Sequence, residues 1–469
     1  MQKKLTKIHD VSMTILEEVG IRIHHPDILE ILKVQNVRVK DDIVYFTRDQ
    51  IMAQIGKAPR QFTVYARNPL HNMVIGGDNS EYGGGYGCSA IIEPDGSRRN
   101  AMTKDYIRFI KLVQESPGFR INGGILIQPY DIPPNQIHML MPYLTMCYSD
   151  KCLMGIPGNT QEVEKIMDMA GILFGGKDAL KEKPRIISLV NTLSPLQLDR
   201  NSLETIKIHA KYGQGISITA GVMNGGTAPI TLAGAIAQGN AEALAGIAIA
   251  QMIRPGTPTI MGVVIMPMDM RSGGVNIGSP AHSLAIKYIS GLAKRYGLPF
   301  RCGGNSTNAN GLTVQSGYES MMAMFVSLQE KVNLILHSAG ILDGYAAMSY
   351  EKFVSDLEVI RMAEYYFEEM STDDNAMALD AIREVGHGGE YLTNIHTMQN
   401  CRKEAWTSDF AITGPIEEAI TPNEAMMEKS KNKLESMIKE YQRPDMNSHI
   451  KQRLDSYLLE NGVSPDFLQ

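Results

Sequence analysis

The sequence predicts an α/β protein: a (β/α)8 TIM barrel with an N-terminal α/β cap and a C-terminal helical extension, divided as residues 1–80, 81–370 and 371–469. Three observations point there. About eight apolar runs alternate with helical segments over roughly 280 residues, the count such a barrel needs. The runs end in polar, Gly-rich tips, as strands of a parallel sheet covered on both faces do. No Gly-rich phosphate loop opens a helix, which counts against the doubly wound open sheet; Gly83-Gly84-Gly85 stands before an expected strand rather than after one.

The cap opens with helical spacing over Leu5–Val19, carried by Ile8, Val11, Ile15 and Leu16. His24-His25 then precede a Pro-started helix, Pro26–Val34, and have no partner nearby, so both read as surface residues. A hairpin over Val37–Phe46, a helix over Arg48–Ile55 and a two-stranded ribbon over Phe62–Gly76 complete it.

Barrel strands are expected at Tyr86–Ile92, Phe119–Ile127, Cys152–Ile156, Arg185–Val190, Ile216–Ala220, Thr259–Ile265, Phe300–Cys302 and Leu334–His337. The helices between and after them are Thr103–Ser116, Gln136–Tyr148, Gln161–Phe174, Ser202–Lys211, Thr231–Ile253, Ala281–Tyr296, Val314–Glu330 and Tyr350–Phe367. The fifth helix has membrane-like length, yet Asn240, Glu242 and two glutamines within it mark a buried helix of a soluble protein. Glu242 is its one charge; a carboxylate there is either paired or working. Beyond Met370 a helix is expected over Asp374–Val385, capped by Asp374. Two charged amphipathic helices over Pro422–Leu459, broken at Arg443-Pro444, pack outside the barrel or mediate self-association.

A net charge of −6 without a basic tract excludes nucleic acid and anionic membranes as default partners. The first residues show no signal peptide. Five scattered cysteines lack metal spacing and fit reduced thiols in a cytoplasm.

Working residues of such a barrel sit where strands end. That filter selects Tyr82, Tyr86 and Glu93 at the first strand, Gln128 and Tyr130 at the second, Asn159 and Asn191 at the third and fourth, and Asn224 at the fifth. Asp269 and Arg271 follow the sixth, Asn305 the seventh, and His337, Ser338, Asp343 and Tyr345 the eighth. The set is rich in amides and tyrosines. It holds no zinc-spaced ligands, no nucleophile elbow and no strand lysine, so no metal site is assigned. Gathered tyrosine faces suit a cation, a quaternary ammonium above all.

Several long motifs carry a family resemblance: ILEEVGIRIHHPD, TAPITLAGAIAQGNAEALAGIAIAQ at Thr227–Gln251, MPMDMRSG at Met266–Gly273, HSAGILDG at His337–Gly344 and REVGHGGEYL at Arg383–Leu392. With these the chain resembles the trimethylamine methyltransferase superfamily along nearly its whole length. The founding enzymes of that family use pyrrolysine, whereas this chain is written in standard residues throughout. The resemblance therefore implies the non-pyrrolysine branch, which demethylates quaternary amines such as glycine betaine, proline betaine and carnitine. It implies a corrinoid (cobalamin) carried by a separate partner protein as the methyl acceptor.

On that reading some of Tyr82, Tyr86, Tyr130 and Tyr345 are expected to box the ammonium, and Asp269 is a further substrate-binding candidate. Arg271, Arg301 and His337 are the candidates to anchor a betaine carboxylate, His337 first, and His337 and Glu242 the candidate catalytic groups. A homo-oligomer is expected. Other readings are a betaine-binding sensor without methyl transfer, or a barrel lyase acting on a small polar metabolite.

Overall fold

The computed structural model describes residues 1–413 and 420–468. Eight parallel strands form one sheet: β1 (Glu81–Tyr82), β2 (Ile121–Gly123), β3 (Cys152–Gly155), β4 (Ile186–Asn191), β5 (Gly215–Asn224), β6 (Thr259–Pro267), β7 (Phe300–Gly303) and β8 (Leu334–Leu336). They neighbour one another in sequence order from β2 to β8, and β8 pairs with β1. A parallel bridge between Tyr82 and Phe119 joins β1 to the entry of β2 and closes the ring. The barrel is therefore the one the alternation predicts.

Around it run α1 (Thr103–Glu115), α2 (Ile137–Tyr148), α3 (Thr160–Phe174), α4 (Arg200–Tyr212), α5 (Leu232–Ile253), α6 (Pro280–Tyr296), α7 (Val314–Gln329) and α8 (Tyr350–Tyr366). Among the described residues α5 alone is long and apolar enough to cross a membrane, and it is buried. It packs on β5 and β6 on one side and on the helix Gln2–Thr14 on the other. Its small residues permit the approach: a Cβ on Gly239 would stand 2.8 Å from Val263, and one on Gly246 2.7 Å from Ile218. Ser12 donates to the Ala237 carbonyl at 2.8 Å and Asn240 donates to Ser12 at 2.9 Å, tying that helix to the barrel.

Both ends of the barrel are elaborated. At the N-terminal end the ribbon Gln61–Val64 with Met73–Gly76 inserts Val64, Met73 and Ile75 among the inward residues Ile121, Cys152, Ile187, Ile260 and Leu334. That end is a closed apolar plug. At the other end, the loops after β1 and β8 build a small sheet from Ala90–Ile92, Arg98–Asn100, Ile341–Leu342 and Ala347–Met348. It roofs one side of the mouth. The C-terminal helices lie outside, Pro422–Glu440 against α8 and α1 and Ser448–Glu460 against α3.

Three expectations need correcting. The first barrel strand is Glu81–Tyr82, not Tyr86–Ile92, of which Ala90–Ile92 belongs to the roof. The glycines that follow β1 pass too close to their neighbours for side chains: a Cβ on Gly83 would stand 2.4 Å from Leu336. His25 is buried, its Nε2 2.9 Å from Glu204 on α4, so only its neighbour His24 lies on the surface. The helix over 374–385 is two helices kinked at Ala378, whose φ is +53°, and Asp373 rather than Asp374 caps the first by accepting from the Ala376 amide.

Candidate active site at the barrel mouth

Strand alternation decides which candidates face the lumen. On β8, Leu334 and Leu336 point inward with the lumen cluster and Ile335 outward. On β7 the outward residues are Phe300 and Cys302, which leaves Arg301 and Gly303 facing in. His337 would point outward if β8 continued. Its backbone instead turns left-handed, with φ +58°, and brings the ring over Tyr345, 4.4 Å away between centroids.

Arg301 sits one strand level below Gly303, and the two pair with Leu334 and Leu336 on β8. It is 3% exposed, its Nε has no hydrogen-bond partner among the described residues, and burial lowers its pKa. Cys302, Tyr345 and Tyr86 are the groups whose charged forms it would feel; no carboxylate stands among them. A buried guanidinium without a counter-ion is costly, and a ligand anion would relieve that cost. Gly262, its register partner on β6, has no room for a side chain, since a Cβ there would stand 2.2 Å from Thr219 Oγ1.

Around Arg301 stand Tyr86, His282, His337 and Tyr345. Tyr86 rests on the lumen cluster, and its hydroxyl is buried without a partner. The Tyr345 hydroxyl is 3.1 Å from Ser306 Oγ, and burial raises its pKa to about 12. His282, on the first turn of α6, donates from Nδ1 to the Ile265 carbonyl at 2.7 Å, which leaves Nε2 a bare acceptor without a partner. His337 Nδ1 is likewise unpartnered. Burial first, and Arg301 second for His337, hold both rings in the neutral form. The result is a pocket with one fixed cation, two neutral imidazoles and two phenol rings, and with unpaired polar atoms on four of the five side chains.

The structure brings together Tyr86, Arg301, His337 and Tyr345 from the expected set, and adds His282, which sequence reasoning missed. Its signal was weak: a histidine two residues after a Pro at a helix start. The others lie elsewhere. Tyr82 follows the strand parity outward and donates to Glu364 on α8 at 2.7 Å. Tyr130 is 75% exposed on the loop after β2. Asp269 is consumed in its own turn, accepting from the Arg271 amide and the Ser272 hydroxyl, and Arg271 is exposed at the tip of that turn.

Glu242 is paired rather than free. Thr192, Ser194, the Leu196 amide and Gln238 all donate to it at 2.6–2.9 Å. It clamps the loop after β4, whose residues Gln197–Leu198 pair with the cap strand Ile21–Ile23. Glu242→Ala strands four donors, those of Thr192 and Gln238 buried and those of Ser194 and Leu196 half-buried, and is expected to cost roughly 3–5 kcal/mol, a fall of several degrees in melting temperature. Scanning calorimetry checks this. Lost turnover at unchanged melting temperature would instead make Glu242 a catalytic group.

A family model described as Trimethylamine methyltransferase (MTTB) matches residues 1–462. The chain is 39% identical over 461 residues to a glycine betaine methyltransferase of Desulfitobacterium hafniense (strain Y51), covering 98% of this chain and 96% of that one. It is 29% identical to a proline betaine:corrinoid methyltransferase of Eubacterium limosum, with coverage of 97% and 96%. Identity to the trimethylamine methyltransferase MttB of Desulfitobacterium hafniense (strain DSM 10664 / DCB-2) is 26%, covering 86% and 82%. Among solved structures, the monomethylamine methyltransferase of Methanosarcina barkeri has a TM-score of 0.53 at 12% identity, covering 93% and 88%, a likeness of fold.

Proposed function

This chain belongs to the trimethylamine methyltransferase family, and on that premise we propose that it moves a methyl group from a betaine to the Co(I) of a corrinoid protein in the cytoplasm. The observation that carries this reading is Arg301, a buried cation without a counter-ion at the floor of a phenol-lined mouth. A betaine is a carboxylate and a quaternary ammonium on one short frame. With its carboxylate on Arg301, its methyl groups point up past Tyr86, His337 and Tyr345 toward solvent. The neutral imidazoles add no positive charge to repel the ammonium. The phenol faces attract it, each by roughly 0.5–2 kcal/mol.

The chemistry asks little more. Co(I) supplies both electrons of the new cobalt–carbon bond, the C–N pair stays on nitrogen, and a neutral tertiary amine leaves. No proton moves, so no general acid is required. The protein positions the methyl carbon for in-line attack and keeps the pocket dry.

The acceptor is a protein and must approach from the mouth. Loops after β2, β4, β5 and β6 and the start of α7 present Tyr130, Leu193, Ile230, Met270 and Val314, exposed from 48% for Leu193 to 85% for Val314. This broken apolar rim supports docking of the corrinoid protein there, and the Asp269–Arg271 turn lies within it.

The test is methyl-cobalt formation, followed spectroscopically with a corrinoid protein under reducing conditions. Glycine betaine, proline betaine or carnitine is expected to react. Trimethylamine and dimethylglycine are expected to fail, because a tertiary amine that has given up its proton offers no charge to the phenol faces and must expel an amide anion. Choline, quaternary but without a carboxylate, is expected to react at least 30-fold more slowly. Turnover of trimethylamine at a betaine's rate overturns the assignment; betaine binding without methyl transfer makes the chain a sensor.

A further inference from the structure

Between α8 and the loops after β7 and β8 lies an ion pair out of reach of water. Lys352 and Asp356 stand one turn apart on α8, with side chains 2% and 0% exposed. The Lys352 ammonium donates to one oxygen of Asp356 and, at 2.9 Å, to Ser320 Oγ of α7. The other Asp356 oxygen accepts from the Gly340 amide at 2.8 Å. Such a pair is a poor device for stability, since apolar side chains of the same volume hold a core at least as well. Its placement gives it a different use.

Gly340 ends the turn that begins at His337, and both residues are left-handed, at φ +90° and +58°. A histidine in that region is strained, and it keeps the conformation where its surroundings impose it. The turn is held at its start by the His337 and Ser338 amides, which donate to the Gly84 and Gly83 carbonyls at 2.9 and 3.0 Å. Asn305, from the loop after β7, donates to the Ser338 carbonyl at 2.6 Å and to the Asp356 carbonyl at 3.2 Å. The far end of the turn is Gly340, which has no side chain to fix it. There the Ser349 amide holds the carbonyl at 3.0 Å, and the Asp356 carboxylate holds the amide.

We propose that Lys352 and Asp356 are positioning residues for the betaine pocket: the pair locks the turn 337–340 and so keeps the His337 ring over Tyr345, a role that rests on the methyl transfer proposed above. Both stand on α8, outside the strand ring, and act through the turn. Burial pushes the Asp356 carboxyl up to about 6 and the ammonium opposes that shift, so near neutrality both oxygens accept. Lys352 orients the carboxylate, and the carboxylate passes that order to the Gly340 amide.

Two double variants separate this role from packing. Lys352→Met with Asp356→Leu removes the charges and the acceptor. Lys352→Met with Asp356→Asn removes the charges and keeps an acceptor for the Gly340 amide. The first is expected to raise KM at least tenfold for the betaine turned over fastest, with kcat within threefold of wild type and an unchanged circular dichroism spectrum. The second is expected to return KM to within threefold. In ligand-free protein labelled at histidine, the His337 ring resonance is identified by its loss in His337→Gln. It is expected to shift in the first variant and to keep its place in the second. In wild-type protein the Gly340 amide is expected to exchange its hydrogen only on global unfolding. A folded first variant with wild-type KM overturns the proposal. So does an equal rise of KM in both variants, an unmoved ring resonance in the first, or a Gly340 amide that exchanges in the native state. The ring and amide readouts need no substrate, so they decide the positioning role even in a chain that demethylates no betaine; the amide readout needs no variant to fold.

Discussion

Arg301→Met is expected to lose betaine turnover while making the ligand-free protein more stable. The two effects share one cause. In the empty pocket Arg301 is a desolvated charge with an unpartnered Nε, and replacing such a group by an apolar one of similar length relieves roughly 1–3 kcal/mol. Melting temperature should therefore rise by a few degrees. With substrate bound, the same guanidinium faces a carboxylate. Removing it leaves that carboxylate buried and unpaired, which costs roughly 3–5 kcal/mol, or about 10²–10⁴ in kcat/KM. Arg301→Lys keeps the charge but not the planar fork and should fall between the two. Calorimetry of the free protein and initial rates with glycine betaine separate the outcomes. Unchanged rates with a lowered melting temperature would make Arg301 a core group instead.

The second large effect is acid lability starting above the carboxylate range. Burial holds His209 near pH 4, against 6.5 for a free histidine, with its Nδ1 3.0 Å from the Gly215 carbonyl. Between those two values the unfolded chain binds a proton that the native one refuses. Stability therefore rises with pH across that window and is lost on acidification below about 6.5. At about 1.4 kcal/mol per pH unit, His209 alone accounts for about 3 kcal/mol by pH 4. His9, His282 and His337 are lowered by burial as well and add in the same direction. The raised carboxyls of Glu81 and Asp356, both shifted by burial, oppose them by gaining stability on acidification. Melting curves from pH 7.5 to 4.5 should fall continuously from about 6.5; a flat profile down to pH 5 would mean these rings are hydrated in the folded state. His209→Gln should flatten the upper part of the slope.

Barrel order and most element limits were legible because buried strands write themselves as apolar runs and helices as periodic ones. Pro26–Val34 and Arg48–Ile55 are found where expected, since a proline and a capping threonine mark their starts. The first barrel strand was not legible: two residues, Glu81 and Tyr82, carry no period, while the roof strand Ala90–Ile92 looks more like a barrel strand than they do. The site was half legible. Nearness to a strand end is a sequence property, but facing depends on parity and on local turns. Tyr82 is lost from the set by parity, and His337 is brought into it by one left-handed residue. His282 enters from a helix, which a filter on strand ends cannot see. The burial of His25 depends on Glu204, far away in sequence, so local reading could not supply it.

The apolar ribbon at the foot of the barrel leaves the lumen a single doorway, and a single doorway imposes an order of traffic. On the proposed reaction, substrate and methyl acceptor use the same opening, and the acceptor is the larger. The betaine must enter before the partner seats. The demethylated amine stays captive until the partner lifts away, so the departure of a protein precedes the release of a small molecule.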